Sequence, residues 1–362
     1  MEIPRLCLCI LIMGLWEVFP AGCRGSRIPA AALFILGDSL FDAGNNNYLK
    51  RPIGRANFWP YGETFFKHPT GRFTDGRIIP DFIAEHMKLP FVPPLLQPAA
   101  VGGKDLTVGV NFASGGTGAL VNTYQGRVVE LLTQLKYFKD VKKHLRKKHG
   151  SSKTTKLLSK SVYMFSIGGN DYLVPFVANG KSQMLQFYSK KEYVSMVIGN
   201  LTTVLRGIYY EGGRKFVTIT VPPLGRLPYT RGYNNGNRTS ELTELARLHN
   251  KALPKALEKL QNELKDFKYI TFDFYSVLGD IISHPTKYGL RDATEGCCGS
   301  GLYRGVLNCG GDGYQLCKDV RGHVFFDGAH ANENVYEQCA ELMWSGDSDV
   351  IWPYNLKTLV QA

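Results

Sequence analysis

The chain has 362 residues, of which 44% are hydrophobic and 20% charged, and its formal net charge is +12. That composition excludes a disordered chain and supplies ample material for a buried core. The basic balance raises nucleic acid as a partner, and the N-terminus argues against it: residues 1–25 read as a secretory signal. Arg5 gives a small basic region, LCLCILIMGLW gives the apolar stretch, and Ala21, Gly22, Cys23 and Gly25 offer cleavage positions. No later run is long enough to cross a bilayer. Residues 26–362 are therefore expected to form one secreted, soluble domain.

In chain order, the first predicted strand is AALFILGDS, ending on Ser39. VGVNFASGG (108–116) is a shorter candidate, followed by SVYMFSIGG (161–169), KFVTITVPP (215–223) and YITFDFYS (269–276). Continuous apolar strands with helices between them predict a mostly parallel sheet covered on both faces. Val128, Leu131, Leu135, Phe138, Val141 and Leu145 recur at helical spacing and predict a helix over 127–148. Its other face is basic from Lys136 to Lys148, which reads first as a solvated face and second as a contact for an anionic polysaccharide. A second periodic helix is predicted over 240–267, with Pro254 as a point of kinking.

Three strand ends are small and polar: Gly37-Asp38-Ser39, Ser114-Gly115-Gly116 and Gly168-Gly169-Asn170-Asp171. In open parallel sheets ligands bind beyond the carboxyl ends of the strands, so these loops converge on one edge. Near the C-terminus, VFFDGAHANE places Asp327 three residues before His330, a spacing that puts both on one face of a turn. Asp327 can then orient His330, and His330 can take a proton from Ser39. The Ser39 and Gly115 backbone amides and the Asn170 side chain are suitable oxyanion donors. A second Gly-Asp-Ser at 346–348 follows no apolar strand and reads as a surface turn, and no G-x-S-x-G elbow occurs. Phe58-Trp59-Pro60-Tyr61 is a candidate apolar lining.

The sequons Asn200-Leu201-Thr202 and Asn237-Arg238-Thr239 fit a glycosylated secreted chain. Cys7, Cys9 and Cys23 leave with the signal. Cys297, Cys298, Cys309, Cys317 and Cys339 remain and point to disulfides, with one thiol left over and the connectivity open. The absence of a C-x-x-C pair disfavours a zinc site.

These blocks resemble the plant GDSL esterase/lipases of the SGNH hydrolase superfamily. FILGDSLFDAGNNN, NFASGGTG, SIGGND and VFFDGAH match the family's ordered motifs, and TDGR, VPPLGRLP and EGCCGSG match further landmarks. The resemblance implies a three-layer α/β/α, flavodoxin-like fold and hydrolysis of carboxylic esters, lipid or acylated small molecule or polysaccharide, without metal or organic cofactor. It implies Ser39 as nucleophile, Asp327 and His330 as its partners, and Gly115 and Asn170 as oxyanion donors, with Gly116 an equally good alignment for Gly115. It suggests that Asp38 and Asn45–Asn47 support the serine loop, while the charge of the basic helix 136–148 makes an anionic cell-wall surface its candidate partner. Four positions depart from the pattern: Phe326 stands where relatives often have Trp, Ala331-Asn332 replaces Pro-Thr, and Arg226 replaces a Cys. An acyltransferase using the same acyl-enzyme and a catalytically silent binding protein are the alternatives.

Overall fold

The computed structural model describes residues 31–98, 105–179, 186–232 and 239–362. The expected signal, residues 1–25, and the expected glycosylation position Asn237 lie outside them. The central sheet has six strands in the order β10-β5-β4-β3-β1-β2. Strands β1 (Leu33–Gly37), β2 (Gly109–Asn111), β3 (Val162–Ser166), β4 (Lys215–Ile219) and β5 (Lys268–Phe272) are parallel, and β10 (Ile351–Trp352) closes one edge antiparallel to β5. All five predicted strands are present. The short edge strand β10 gave no sequence signal, because two residues carry no periodicity.

Strands β1 and β3 are buried at every position, which is why they read as unbroken apolar runs. Helices cover both faces. One layer holds α2 (Leu131–His149), α3 (Ser151–Lys160), α5 (Lys190–Tyr210) and α6 (Thr239–Glu263), with α3 and α5 each packed on α2 and α6 packed on α5. The other holds α1 (Ile79–His86), α8 (Glu333–Ser345) and α9 (Leu356–Gln361). Helix α4 (Gly169–Asn179) follows β3, and α7 (Phe274–Ser283) follows β5. The three-layer, mostly parallel architecture is the expected one.

Two helix boundaries differ from the sequence pattern. Helix α2 starts at Leu131, not at 127, because Glu130 is extended and the Val129 N–H donates to Ser114 Oγ. Helix α6 ends at Glu263, and Asp266 at φ 60° reverses the chain into β5. It continues through Pro254. The strand order 2-1-3-4-5 changes direction between β1 and β3, and a crevice opens at such a switch point. Ser39 and Asn170 follow those two strands.

Beyond the sheet, β6 (Asp292–Gly296) and β9 (His323–Phe325) form a separate parallel pair, and β7 (Cys298–Gly299) pairs with β8 (Gln315–Leu316). Cys297–Cys317 and Cys298–Cys309 are disulfides, and Cys339 is a buried free thiol in α8.

Candidate active site

Strand β1 ends where its backbone presses on its neighbour. Gly37 has φ 138°, and a Cβ there would sit 2.1 Å from the Ser166 carbonyl oxygen, so only glycine fits. Gln134 brackets this peptide: the Gly37 N–H donates to its Oε1 at 2.8 Å, and its Nε2 donates to the Gly37 carbonyl at 2.9 Å. Asp38 is buried beneath the turn and accepts from Leu40 N–H and Ser166 Oγ. Burial pushes its carboxyl up to about 7, against those two hydrogen bonds. Ser39 itself is half-buried and lines a cleft that also contains Asn170, Asp327 and His330.

His330 Nε2 lies 2.8 Å from Ser39 Oγ, and its Nδ1 lies 2.8 Å from both carboxylate oxygens of Asp327. The short turn is held by Asp327 Oδ1, which accepts from the Ala329 and His330 backbone N–H groups. Tyr61 Oη donates to Asp327 Oδ2 at 2.8 Å. Burial pushes the Asp327 carboxyl up, and the facing His330 together with these hydrogen bonds outweighs it, holding the group below its ordinary value. Asp327 thus stays ionised. Tyr61 was legible only as a lining aromatic; its hydrogen bond to the acid spans 266 positions and has no local signal.

The expected oxyanion donors differ in how their N–H groups are engaged. The Gly115 N–H is not free: it donates to Asp42 Oδ2 at 2.9 Å. The next amide, Gly116 N–H, makes no hydrogen bond among the described residues, and Gly116 also lines the cleft. Of the two glycines that align with the expected donor, Gly116 is therefore the one whose N–H is left unengaged. Gly115 has a different task, anchoring the loop to Asp42, whose carboxyl burial raises to about 6. The Ser39 N–H is likewise unengaged among the described residues. Asn170 Nδ2 gives one N–H to the Thr117 carbonyl at 3.0 Å, which orients the amide and leaves its second N–H.

The asparagine cluster does support the loop. Asn45 Nδ2 donates to the carbonyls of Asn111 and Ala113, and Asn46 Nδ2 donates to those of Gly54 and Gly115. Asp171 accepts from Ala119, Leu120 and Thr123, tying the second and third polar loops together. The departures from the family pattern have local explanations. Phe326 is buried edge-on to Tyr61 at 5.2 Å between ring centroids. Asn332 caps α8 by accepting from Val335 N–H, and its Nδ2 donates to the Val320 and His323 carbonyls. Arg226 donates to Gly279 O and Ser283 Oγ.

Phe58 and Tyr61 line the cleft with Ile53, Phe73, Leu173 and Ile219, and Trp59, between them in the chain, is exposed and not among the lining residues. Asp292, Glu295 and His323 offer ligand atoms within 4.8 Å of one another, yet none of them lines the cleft. Ser348 lies in an exposed turn, as expected for a decoy. Asn200 is half-buried on α5 with its Nδ2 donating to Met196 O. On α2, Lys142 and Lys139 pair with Glu211 and Lys143 pairs with Asp140, so part of the basic face is neutralised within the chain. No helix among the described residues is long and apolar enough to cross a membrane.

The sequence profile of the GDSL-like lipase/acylhydrolase family matches residues 33–343. A GDSL lipase of Tanacetum cinerariifolium is 46% identical over 355 residues, covering 97% of this chain and 93% of the relative. GDSL esterase/lipase 1 and GDSL esterase/lipase 5 of Arabidopsis thaliana are each 45% identical, covering 91% of this chain and 90% and 87% of their own lengths. With its serine, histidine and aspartate gathered at the sheet's switch point, the chain belongs to the GDSL-like lipase/acylhydrolase family.

Proposed function

We propose that this chain is a secreted serine esterase or lipase that hydrolyses carboxylic esters through an acyl-enzyme on Ser39. The family supplies the reaction class. The observation that carries the mechanism is His330, with Nε2 at 2.8 Å from Ser39 Oγ and Nδ1 at 2.8 Å from the Asp327 carboxylate. Asp327 holds the Nδ1–H tautomer, so the Nε2 lone pair faces the serine.

In the first step Ser39 Oγ attacks the ester carbonyl carbon and His330 Nε2 takes its proton. The oxyanion is met by the Ser39 and Gly116 backbone N–H groups and the second N–H of Asn170. The C–O bond to the alcohol then breaks, and His330 returns the proton to the leaving oxygen. In the second step water attacks the acyl carbon, His330 accepts its proton, and Ser39 is released. Every bond change is served by side chains and amides of this chain.

The apolar walls, with Phe58, Leu173, Ile219 and Leu227, favour an ester with a hydrocarbon acyl or alcohol half. Secretion and glycosylation at Asn200 and Asn237 are part of the same reading and rest on the sequence. So does an anionic wall polymer as partner of α2, now limited to cations such as Lys136, Arg146, Lys147 and Lys148 that make no ion pair among the described residues. Hydrolysis of a p-nitrophenyl ester series by the purified chain, beside Ser39→Ala, tests the proposal. Turnover lost in the variant supports it; turnover that survives Ser39→Ala contradicts it. Adding an alcohol to the same assay separates hydrolysis from acyl transfer by the product formed.

A further inference from the structure

We propose that the rim of the Ser39 cleft is a docking surface for an anionic lipid–water interface. The proposal names how an ester would be presented to the Ser39 site and rests on that reading only there; the docking itself is read without turnover.

One side of the rim is the segment 48–59. It holds the exposed aromatics Tyr48, Phe58 and Trp59, the last 53% exposed, and the exposed cations Lys50, Arg51 and Arg55. No acidic residue lies within it. Arg55 Nη2 donates to the Leu49 carbonyl, and none of the three cations has a carboxylate partner among the described residues. Phe58 and Arg55 line the cleft itself.

The other side is the loop closed by Cys298–Cys309, which presents Leu302 (54% exposed), Val306 and Leu307. Val306 N–H donates to Ser300 O, and the loop's one cation, Arg304, is turned inward onto Glu295. The loop therefore shows water its apolar side chains. The two sides touch: Gly310 lies so close to Phe58 that a Cβ there would come within 2.5 Å of the ring. Leu307 lines the cleft from this side.

Apolar side chains gathered on a rim mark an interaction surface. Trp and Tyr rings suit the boundary between headgroups and acyl chains, and unpaired Lys and Arg are drawn to anionic lipid. The occupant is a lipid surface and not a second copy of the chain, because two copies carrying +12 each would bring like charge together at this basic rim. The Cys298–Cys309 bond holds one side of the patch in place.

The test uses the full secreted chain as Ser39→Ala, so that vesicles stay intact. Co-sedimentation is measured with pure phosphatidylcholine vesicles and with equimolar phosphatidylcholine and phosphatidylglycerol, together with the emission shift of Trp59 referenced to Trp59→Phe. Binding about tenfold stronger to the phosphatidylglycerol vesicles, with a blue shift, is expected. Leu302→Ser/Val306→Ser should weaken it about tenfold while leaving turnover of a soluble short-chain ester unchanged on the Ser39 background. Lys50→Glu/Arg51→Glu should abolish the lipid preference. No binding, or binding that ignores all four changes, overturns the proposal. A dimer in sedimentation velocity that Leu302→Ser/Val306→Ser dissolves overturns it in favour of a self-interface. Vesicle binding by a chain that hydrolyses no ester would sink the esterase reading and leave the docking surface standing.

Discussion

The two halves of the site are held by different physics. Ser39, Gly116 and Asn170 sit at the ends of parallel strands inside the main core, which runs from Ala32 to Leu359. Their loops are fixed by buried side chains aimed at backbone: Gln134 on Gly37, Asp42 on Gly115 and Asp171 on Ala119 and Leu120. Asp327 and His330 come instead from the turn between β9 and α8, where Val324, Phe325 and Ala331 of the main core meet a second apolar cluster of Tyr61, Phe73, Phe326 and cysteines 297, 298 and 309. There the Cys297 and Cys298 N–H groups donate to the Phe325 and Phe326 carbonyls, immediately before Asp327. Each of those two cysteines is also in a disulfide. The nucleophile half thus relies on the sheet, whereas the acid–base turn rests on the main core on one side and on a disulfide-stapled cluster on the other.

That contrast can be broken from either side. The largest effect is expected from Asp327→Asn, which frees the His330 tautomer: kcat should fall by about 10⁴-fold with little change in melting temperature. Asn170→Ala removes one oxyanion donor from the sheet half and should lower kcat by about 10²–10³-fold with KM nearly unchanged. Cys298→Ser/Cys309→Ser loosens the stapled cluster beside Asp327. Steady-state turnover should fall by about 10²-fold, while far-ultraviolet circular dichroism keeps the signature of the sheet and helices. If that pair instead unfolds the whole chain, the two halves are not separately supported.

Two smaller changes sharpen the picture. Tyr61→Phe deletes the hydrogen bond to Asp327 Oδ2 and should cost about tenfold in kcat/KM. Asp38→Asn reads the buried carboxyl of the sheet half. Its folded value near 7 lies above the ordinary 3.8, so the native state holds a proton that the unfolded chain releases between those values. The stability this group contributes is full below 3.8 and is lost as pH rises toward 7. Asparagine keeps both acceptor contacts without ionising, so denaturation midpoints across that window should fall less with pH in the variant.

The same contrast explains what could be read from the residues alone. Strands β1 to β5 were legible because two-sided burial writes an unbroken apolar run. Asp327 and His330 were legible because their pairing is local. The scaffolding was not. Asp42 reaches Gly115 across 73 positions and Gln134 reaches Gly37 across 97, distances over which a single sequence carries no spacing rule. Gly115 and Gly116 were indistinguishable for the same reason: the carboxylate that occupies the first amide lies elsewhere in the chain. The cysteines announced a stapled region, yet only the fold pairs Cys297 with Cys317 and Cys298 with Cys309.

The most direct measurement is the site of covalent capture. The purified chain would be treated with a fluorophosphonate, digested and mapped by mass spectrometry, beside His330→Ala. A single adduct on Ser39, formed at least about 10³-fold more slowly without His330, is the result this account requires. An adduct on another serine, or labelling of Ser39 at an undiminished rate in His330→Ala, would contradict it.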